Sequence, residues 1–98
     1  MQISRTSTFK RNYKALKKKH YDMGKLEAVL KLIVNDDKET LVRKHKLHQL
    51  KGKHKGISEL HIEEDWLLLF FIRDKRIELL LLATGKHDDV FRPTYDLS

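Results

Sequence analysis

Residue types that can perform acid–base chemistry lie in three short parts of this 98-residue chain: at His48, in residues 61–66 and in residues 84–91. Histidine suits the roles of general base and general acid, because its ordinary pKa of about 6.5 lies close to neutral pH. A nearby carboxylate can fix the tautomer of an imidazole or act as the base itself. Flat aromatic rings offer surfaces on which an unpaired base can stack. The candidates in chain order are His48, His61, Asp65, Trp66, His87 and Phe91.

The charge of the chain points to the substrate of such a site. The net charge is +7; residues 1–34 contain nine Lys or Arg, and residues 43–55 contain six and no acid. A basic surface attracts a polyanion or an acidic protein. Metal-free RNA cleavage needs a base for the 2′-hydroxyl proton, an acid for the departing 5′-oxygen and positive charge at the phosphate. We therefore predict a site that cuts RNA, with RNA-contacting lysines at Lys51, Lys53, Lys55 and Lys86.

Composition excludes several other classes of protein. Hydrophobic residues make up 40% of the chain and charged residues 36%, which fits one folded domain with a modest core. The chain contains no cysteine, which removes disulfides and thiolate metal sites and fits a reducing cytoplasm. Its densest apolar patch, residues 79–83, is too short to span a bilayer. We expect a cytoplasmic protein without a membrane segment.

The N-terminal part of the chain predicts one strand and two helices. Residues 2–5 alternate weakly, as in a short strand. Ser7 or Thr8 is a candidate cap for a first helix, and Asp22 is a candidate cap for a second helix. The stripes at helical spacing are Phe9, Tyr13, Leu16 and His20 in the first helix and Leu26, Val29, Leu30 and Ile33 in the second.

The C-terminal part predicts a loop followed by three strands. Residues 38–55 are charged and lack a clear period, which indicates an ordered or semi-ordered surface loop. Residues 57–62 alternate, with Glu59 and His61 on one face and Leu60 on the other. Residues 66–72 form a continuous apolar run, typical of a strand buried on both faces, and residues 76–82 form the next strand. Short turns make these strands antiparallel.

The predicted order is β-α-α-β-β-β, an α+β fold with two helices on one side of a small antiparallel sheet. Residues 94–98 are expected to be a loose tail. Each histidine has a plainer interpretation as a surface or structural residue. Zinc binding by His45 and His48, spaced three residues apart, is a competing use, although no HExxH motif or cysteine pair supports it. We therefore predict no metal and no cofactor.

Three segments resemble a YafQ-type toxin of the RelE/ParE superfamily of bacterial toxin–antitoxin systems. They are residues 50–56 (LKGKHKG), 59–68 (ELHIEEDWLL) and 84–91 (TGKHDDVF), in the family's order. The resemblance covers essentially the whole chain and implies one RelE-like toxin domain over residues 1–98. It also implies a ribosome-dependent endoribonuclease that cuts mRNA in the ribosomal A site without a metal. The implied partners are the ribosome, mRNA and an antitoxin with an acidic toxin-binding segment, with DNA contacted only through the antitoxin complex.

Motif matching assigns roles to individual residues. The family's acid–base residues fall on His48, His61, Asp65 and His87, and its substrate-contacting aromatics fall on Trp66 and Phe91. The resemblance implies His87 as the general acid, and His61, or Asp65 acting with it, as the base or its orienter. Ala83 stands where the family usually has an arginine, a natural phosphate clamp, so Lys86 or Lys53 would have to compensate.

Two other functions remain open at this point. One is a non-cleaving protein of the same fold, either a ParE-like gyrase inhibitor or a degenerate nuclease. Such a protein would not need four acid–base residues together, although Ala83 mildly favours it. The other is a basic structural protein of the ribosome, which would not be toxic.

Overall fold

The computed structural model describes residues 1–91, so the tail predicted over residues 94–98 lies outside the described residues. The strands are β1 Gln2–Arg5, β2 His48–Gln49, β3 Ser58–Glu63, β4 Trp66–Arg73 and β5 Glu78–Gly85. The helices are α1 Ser7–Lys18, α2 Met23–Val34, α3 Lys38–His45 and α4 His87–Phe91, with a short 3-10 helix at Gly52–His54. Helices packed on one sheet confirm the predicted α+β class. No helix in this described part of the chain is both long and apolar enough to cross a bilayer.

The five strands lie in the order β1-β5-β4-β3-β2. β3, β4 and β5 are antiparallel neighbours, as predicted for strands joined by tight turns. β2, which the sequence did not predict, also pairs antiparallel with β3. β1 instead lies parallel to β5, with Ile3 opposite Leu79, so the prediction of a wholly antiparallel sheet is wrong at this edge. No tight turn joins these two strands, because most of the chain lies between them, and turn length therefore does not fix the direction of β1.

Polar side chains mark the starts of the first two helices. The Thr6 hydroxyl accepts a backbone N–H of the first turn at 3.0 Å, so Thr6 caps α1 rather than the predicted Ser7 or Thr8. Asp22 caps α2, as predicted, by accepting a first-turn N–H at 3.1 Å. His20 lies beyond the end of α1 and is exposed, with a φ of 67°, so it does not belong to the packed stripe of that helix.

Residues 38–55 contain regular structure where the sequence predicted a loop. α3 comes first, and β2 and the 3-10 helix follow it. The Asp37 carboxylate accepts the Thr40 backbone N–H at 3.2 Å and so caps α3. Leu41 is the buried residue of α3. One buried apolar residue does not produce a hydrophobic period that can be seen in the sequence. α3 therefore escaped prediction, although it leads directly to His48.

Buried side chains cover both faces of the sheet, as the apolar run of β4 predicted. One face, the helix face, packs against α1, α2 and α3. We call the opposite face the site face; α4 and the segment around the 3-10 helix partly cover it. The buried residues of its apolar cluster are Ile57, Leu67, Leu69, Leu82, Ala83 and Val90, and the partly buried ones are Leu50, Phe71, Leu80 and Phe91.

Arg76 ties the β4–β5 turn to the end of α2. Its guanidinium donates a hydrogen bond to the Ile33 carbonyl oxygen at 2.8 Å and lies 3.4 Å from the Asp36 carboxylate. The same carbonyl oxygen accepts the Asp36 backbone N–H at 3.0 Å, so Arg76 is its second donor at the end of the helix. The contact fixes the helices relative to the sheet that carries the candidate site.

Candidate active site

Glu59 lies between two histidines on the site face of β3. Its Oε1 atom is 3.0 Å from Nε2 of His48 and 3.7 Å from Nε2 of His61. Glu59 and His61 share a face because they are two residues apart on a strand, and His48 lies opposite Glu59 in the β2–β3 pairing. The structure therefore brings two predicted acid–base residues together around a carboxylate that the sequence analysis did not select.

A signal for Glu59 was present in the sequence. The alternation of residues 57–62 placed Glu59 and His61 on the same face, two residues apart. The second half of the signal, His48 on a neighbouring strand, was hidden because β2 has only two residues and lay in the predicted loop. The complete pattern is a carboxylate, Glu59, with one histidine two residues along its own strand and another opposite it on the neighbouring strand.

Glu59 is the buried member of this cluster. Its side chain is 8% exposed, whereas those of His48 and His61 are 50% and 26% exposed. Burying a carboxylate is costly unless a charged or hydrogen-bonding partner compensates for the lost water. The two imidazoles are its nearest such partners. The cluster is therefore a buried negative charge with two imidazoles that remain open to a substrate.

Backbone carbonyl groups fix the tautomers of both imidazoles. Nδ1 of His48 is 2.8 Å from the Lys46 carbonyl oxygen, and Nδ1 of His61 is 3.1 Å from that of Glu64. A carbonyl oxygen only accepts, so Nδ1 carries a proton in each ring. The 3.0 Å contact between His48 and Glu59 then requires one further proton, on Nε2 or on the carboxyl group. Nε2 of His61 makes no such short contact with Glu59 and is free to accept a proton.

A second group on the site face joins α4 to the 3-10 helix. His87 and Phe91 are one helical turn apart, with ring centroids separated by 4.6 Å. Phe91 also meets His54 nearly edge-on, with centroids 5.6 Å apart and ring planes at 69°. The His87 side chain is 70% exposed, and its Nδ1 atom lies 3.6 Å from the Asp88 carboxylate. Phe91 therefore supports His87 on one side while most of His87 stays open to solvent.

The strand register places both groups near the same end of the sheet. His61 lies opposite Leu67, and Leu67 lies opposite Gly85. Adjacent strands are about 4.8 Å apart, so the Cα atoms of His61 and Gly85 are separated by about 10 Å. His87 follows Gly85 by two residues. His48, His61 and His87 therefore lie over one face rather than on different sides of the molecule.

Asp65 does not join the histidine cluster. It lies exposed in the turn between β3 and β4. In the range 1–91, the carboxylate nearest the His61 ring is that of Glu59, and the Nδ1 atom of His61 is occupied by the Glu64 carbonyl group. Glu59 thus takes the orienting position that the sequence analysis gave to Asp65. The catalytic role of Asp65 stays a prediction.

The prediction that Trp66 offers a stacking surface for RNA is wrong. Trp66 is 1% exposed and belongs to the core of the helix face. Its indole N–H donates to the Thr84 hydroxyl at 2.9 Å, and its ring meets Tyr21 edge-on at a centroid distance of 5.0 Å. Trp66 and Leu68 are two residues apart on β4, so their side chains lie on the same face, the helix face. Glu59 lies on the opposite face. Phe91 is the half-buried aromatic that borders the site.

The predicted RNA-contacting lysines flank the site in exposed positions. Three of them lie next to or within the 3-10 helix, and the fourth lies between β5 and α4. Ala83 is fully buried in the apolar cluster, opposite Leu69, which in turn lies opposite Glu59. The site face thus carries a small apolar side chain where the resemblance predicted a cation. The exposed lysines are Lys51, Lys53, Lys55 and Lys86.

The pair of histidines that offered a competing zinc site does not share a helix. α3 ends at His45, and His48 belongs to β2. Nδ1 of His45 lies 2.8 Å from the carbonyl oxygen of His61, whereas Nε2 of His48 faces Glu59. The two rings therefore contact different residues. The zinc site required both histidines on one helix, and the structure does not place them so.

Comparison with known proteins gives consistent matches over nearly the whole chain. The family described as "Bacterial toxin of type II toxin-antitoxin system, YafQ" matches residues 1–92. The mRNA interferase toxin YafQ of Escherichia coli K12 is 32% identical over 89 residues, which cover 91% of this chain and 94% of that relative.

Solved structures agree with these sequence matches. The crystal structure of YafQ from E. coli BL21(DE3) superposes with a TM-score of 0.78 at 32% identity, covering 92% of this chain and 97% of that one. The toxin in the E. coli DinJ-YafQ toxin-antitoxin complex gives a TM-score of 0.79 at 32% identity, covering 92% and 96% of the two chains. The family match over residues 1–92 includes every described helix and strand.

Proposed function

Because this chain belongs to the YafQ family of bacterial type II toxin–antitoxin toxins, we propose that it is an mRNA interferase that cuts mRNA on the ribosome. The observation that carries this proposal is the buried Glu59 carboxylate between two imidazoles, on the same sheet face as an exposed third imidazole. A single carboxylate–histidine cluster supplies a base, and His87 supplies an acid. This arrangement has the parts that metal-free RNA cleavage requires.

In the proposed reaction His61 is the general base. Its Nδ1–H is held by the Glu64 carbonyl group, so its free Nε2 accepts the proton of the ribose 2′-hydroxyl. The 2′-oxygen bonds to phosphorus, and the bond from phosphorus to the 5′-oxygen breaks. The products are a 2′,3′-cyclic phosphate and a 5′-hydroxyl group. The Glu59 carboxylate stabilises the imidazolium that forms on His61, as an orienting acid does in a catalytic triad.

His87 is the general acid in this scheme. It donates a proton to the departing 5′-oxygen, which would otherwise leave as a costly alkoxide. Its exposure leaves it free to reach that oxygen, and its contact with Phe91 limits the directions in which it can turn. Phe91 is also the proposed stacking surface for an unpaired base, since its ring is only partly buried. The neighbouring lysines, Lys53 and Lys86 foremost, neutralise the phosphate.

His48 shares a proton with Glu59 and completes the charge balance of the cluster. With one further proton, His48 is an imidazolium that pairs with the carboxylate at 3.0 Å. It is half exposed, so its positive charge also faces the approaching phosphate. We assign His48 to phosphate stabilisation rather than to proton transfer with the RNA. Asp65, in the exposed turn, is kept as a substrate-contacting acid–base candidate.

The toxin acts in the cytoplasm, and a cognate antitoxin silences it. Structures of the E. coli DinJ-YafQ complex support an antitoxin partner for this chain as well. Two hollows beside α1 share Arg5, Phe9 and Tyr13 in their lining. Lys10 and Lys14 line one of them, which fits an acidic segment of that partner, whereas Leu30 and Glu27 line the other. DNA contact arises only through the antitoxin complex.

The test is cleavage of a defined mRNA by the purified toxin, with and without ribosomes that hold one known codon in the A site. We expect cuts within that codon, only on the ribosome, and ends that carry a cyclic phosphate and a 5′-hydroxyl. His61→Ala should abolish them. His20→Asn is the matched control, because His20 is an exposed histidine whose left-handed backbone suits asparagine.

Two results would overturn the proposal. Growth arrest with intact mRNA and damaged DNA would assign the chain to the gyrase-directed alternative. Expression without an antitoxin that causes no arrest would assign it to a structural role on the ribosome.

A further inference from the structure

We infer that His45, which has no assigned role in the reaction, is a positioning residue that holds the base His61 in place. Its Nδ1–H donates a hydrogen bond to the backbone carbonyl oxygen of His61 at 2.8 Å. His45 is half-buried at the last position of α3. The inference rests on the proposed function, because it names a residue that acts through the proposed base.

The backbone at His61 needs such a contact. β2 pairs with β3 at Ser58 and Glu59, so within residues 1–91 the outer side of β3 has no strand partner at His61. The pairing of β3 with β4 also shifts register between His61 and Glu63. Such irregularities bend a strand and re-aim its side chains, and they are frequent beside active sites. His45 supplies a hydrogen bond at the point where regular pairing stops.

The geometry of the cluster depends on this anchor. The ring of His61 is held at Nδ1 by the Glu64 carbonyl group and faces Glu59 across 3.7 Å. Both contacts are set by where the β3 backbone lies at His61. A displacement of about 1 Å at a reacting group can cost about 10²-fold in rate. A single hydrogen bond from α3 therefore controls the position of the base.

The same short segment also places the second imidazole. After His45 the chain turns at Lys46, which has a φ of 52°, and reaches His48 two residues later. The Lys46 carbonyl oxygen accepts the Nδ1–H of His48 at 2.8 Å. Residues 45–48 thus fix both imidazoles that flank Glu59. The end of α3, a helix that the sequence did not predict, therefore positions the side chains of the proposed reaction.

The experiment replaces the donor of this hydrogen bond. His45→Leu removes it, whereas His45→Asn keeps an N–H close to the position of Nδ1. We expect His45→Leu to lower kcat on programmed ribosomes by about 10- to 100-fold with KM changed by less than about twofold. His45→Asn should recover kcat to within about threefold of the unmodified toxin. Thr40→Ala is the control, because it removes a contact to Asp37 at the start of α3 without touching His61.

A second readout does not need RNA. The ¹⁵N and ¹H resonances of the His61 ring in the free protein report whether its Nδ1–H remains hydrogen-bonded. They should change in His45→Leu, return in His45→Asn and stay unchanged in Thr40→Ala. Failure of the proposed function would appear as an unmodified toxin that leaves mRNA intact, with these resonance changes still present. Unchanged His61 resonances in His45→Leu, a rise in KM alone, or equal losses in the Asn and Leu variants would each overturn the positioning role.

Discussion

Replacing Glu59 by glutamine tests the proposed cluster most directly, because it removes the buried charge and keeps the shape. In the reaction, the imidazolium of His61 forms 3.7 Å from the Glu59 carboxylate, where Coulomb's law gives about 4 kcal/mol at an effective dielectric constant of about 20. His61 is 26% exposed, so solvent screening reduces this to about 2–3 kcal/mol. We expect Glu59→Gln to lower kcat by about 10²-fold.

The fold should survive this change. The glutamine amide can donate to the bare Nε2 of a neutral His48, whose Nδ1–H stays on the Lys46 carbonyl group. The variant also relieves the desolvation of a buried carboxylate. Thermal denaturation should therefore show a Tm within about 5 °C of the unmodified toxin. The activity loss is then assigned to the reaction and not to unfolding.

The assay is single-turnover cleavage on ribosomes that hold one codon in the A site. Glu63→Gln is the matched control, since Glu63 ends the same strand but is exposed and pairs at 3.4 Å with Lys25. It should retain kcat within about twofold. If Glu59 acts largely through His61, the loss in the double variant Glu59→Gln/His61→Ala should be clearly smaller than the product of the two single losses, and any loss beyond that of His61→Ala reports the pairing of Glu59 with His48. A Glu59→Gln enzyme within threefold of normal kcat, or fully additive losses in the double variant, would refute the reasoning.

Three further predictions concern other parts of the chain. His87→Ala should lower kcat by at least about 10²-fold without a change in Tm, because it removes the proposed acid from an exposed position. Trp66→Phe should reduce the free energy of unfolding by about 1–2 kcal/mol, because it removes the bond to Thr84, and leave KM unchanged; a raised KM would restore Trp66 to the RNA surface. The hydrogen bond from Ser4 and the charge of Arg73 lower the pKa of Glu78, although partial burial opposes them. The stability that this carboxylate contributes is therefore present above about pH 4.3 and is lost as the pH falls through its lowered pKa. Glu78→Gln should therefore make the urea denaturation midpoint depend less on pH in that acid range.

The helices and strands that the sequence predicted are those with a visible apolar pattern. α1, α2 and β3 have apolar residues at a regular period, β4 and β5 are apolar runs, and β1 alternates weakly; the structure confirms all six within a few residues. α3 has one buried anchor, Leu41, and β2 has two residues, so neither has a period to detect. Both lie beside the site, and they supply His45 and His48.

The error at Trp66 has a different cause. Alternation showed that Trp66, Leu68 and Phe70 share a face of β4, but a run buried on both sides does not reveal which face the helices cover. The motif match drew attention to Trp66 as a substrate contact. Packing against Tyr21 and the bond to Thr84 instead hold it in the core. Glu59, on the opposite face, lies beside the His61 ring, where the motif match had suggested Asp65.

Ala83 shows how the site face of this toxin distributes its positive charge. The register runs from Glu59 through Leu69 to Ala83, so a cation at position 83 would project onto the site face about 10 Å from the Glu59 backbone. With alanine there, the proposed mechanism takes this charge from exposed lysines such as Lys53 and Lys86, and from the imidazolium of His48.

Flexible lysines and a rigidly held cation affect KM and kcat differently. A lysine on the surface neutralises the phosphate before and during the reaction, which lowers KM more than it raises kcat. A clamp held rigidly by the sheet would favour the charge that builds up only in the transition state. Among the described residues of the proposed site, His48 is a cation candidate with both ring nitrogens held, by the Lys46 carbonyl group and by Glu59. In the proposed reaction, transition-state stabilisation therefore depends on the protonated His48–Glu59 pair, which gives the buried carboxylate a second function beside orienting the base.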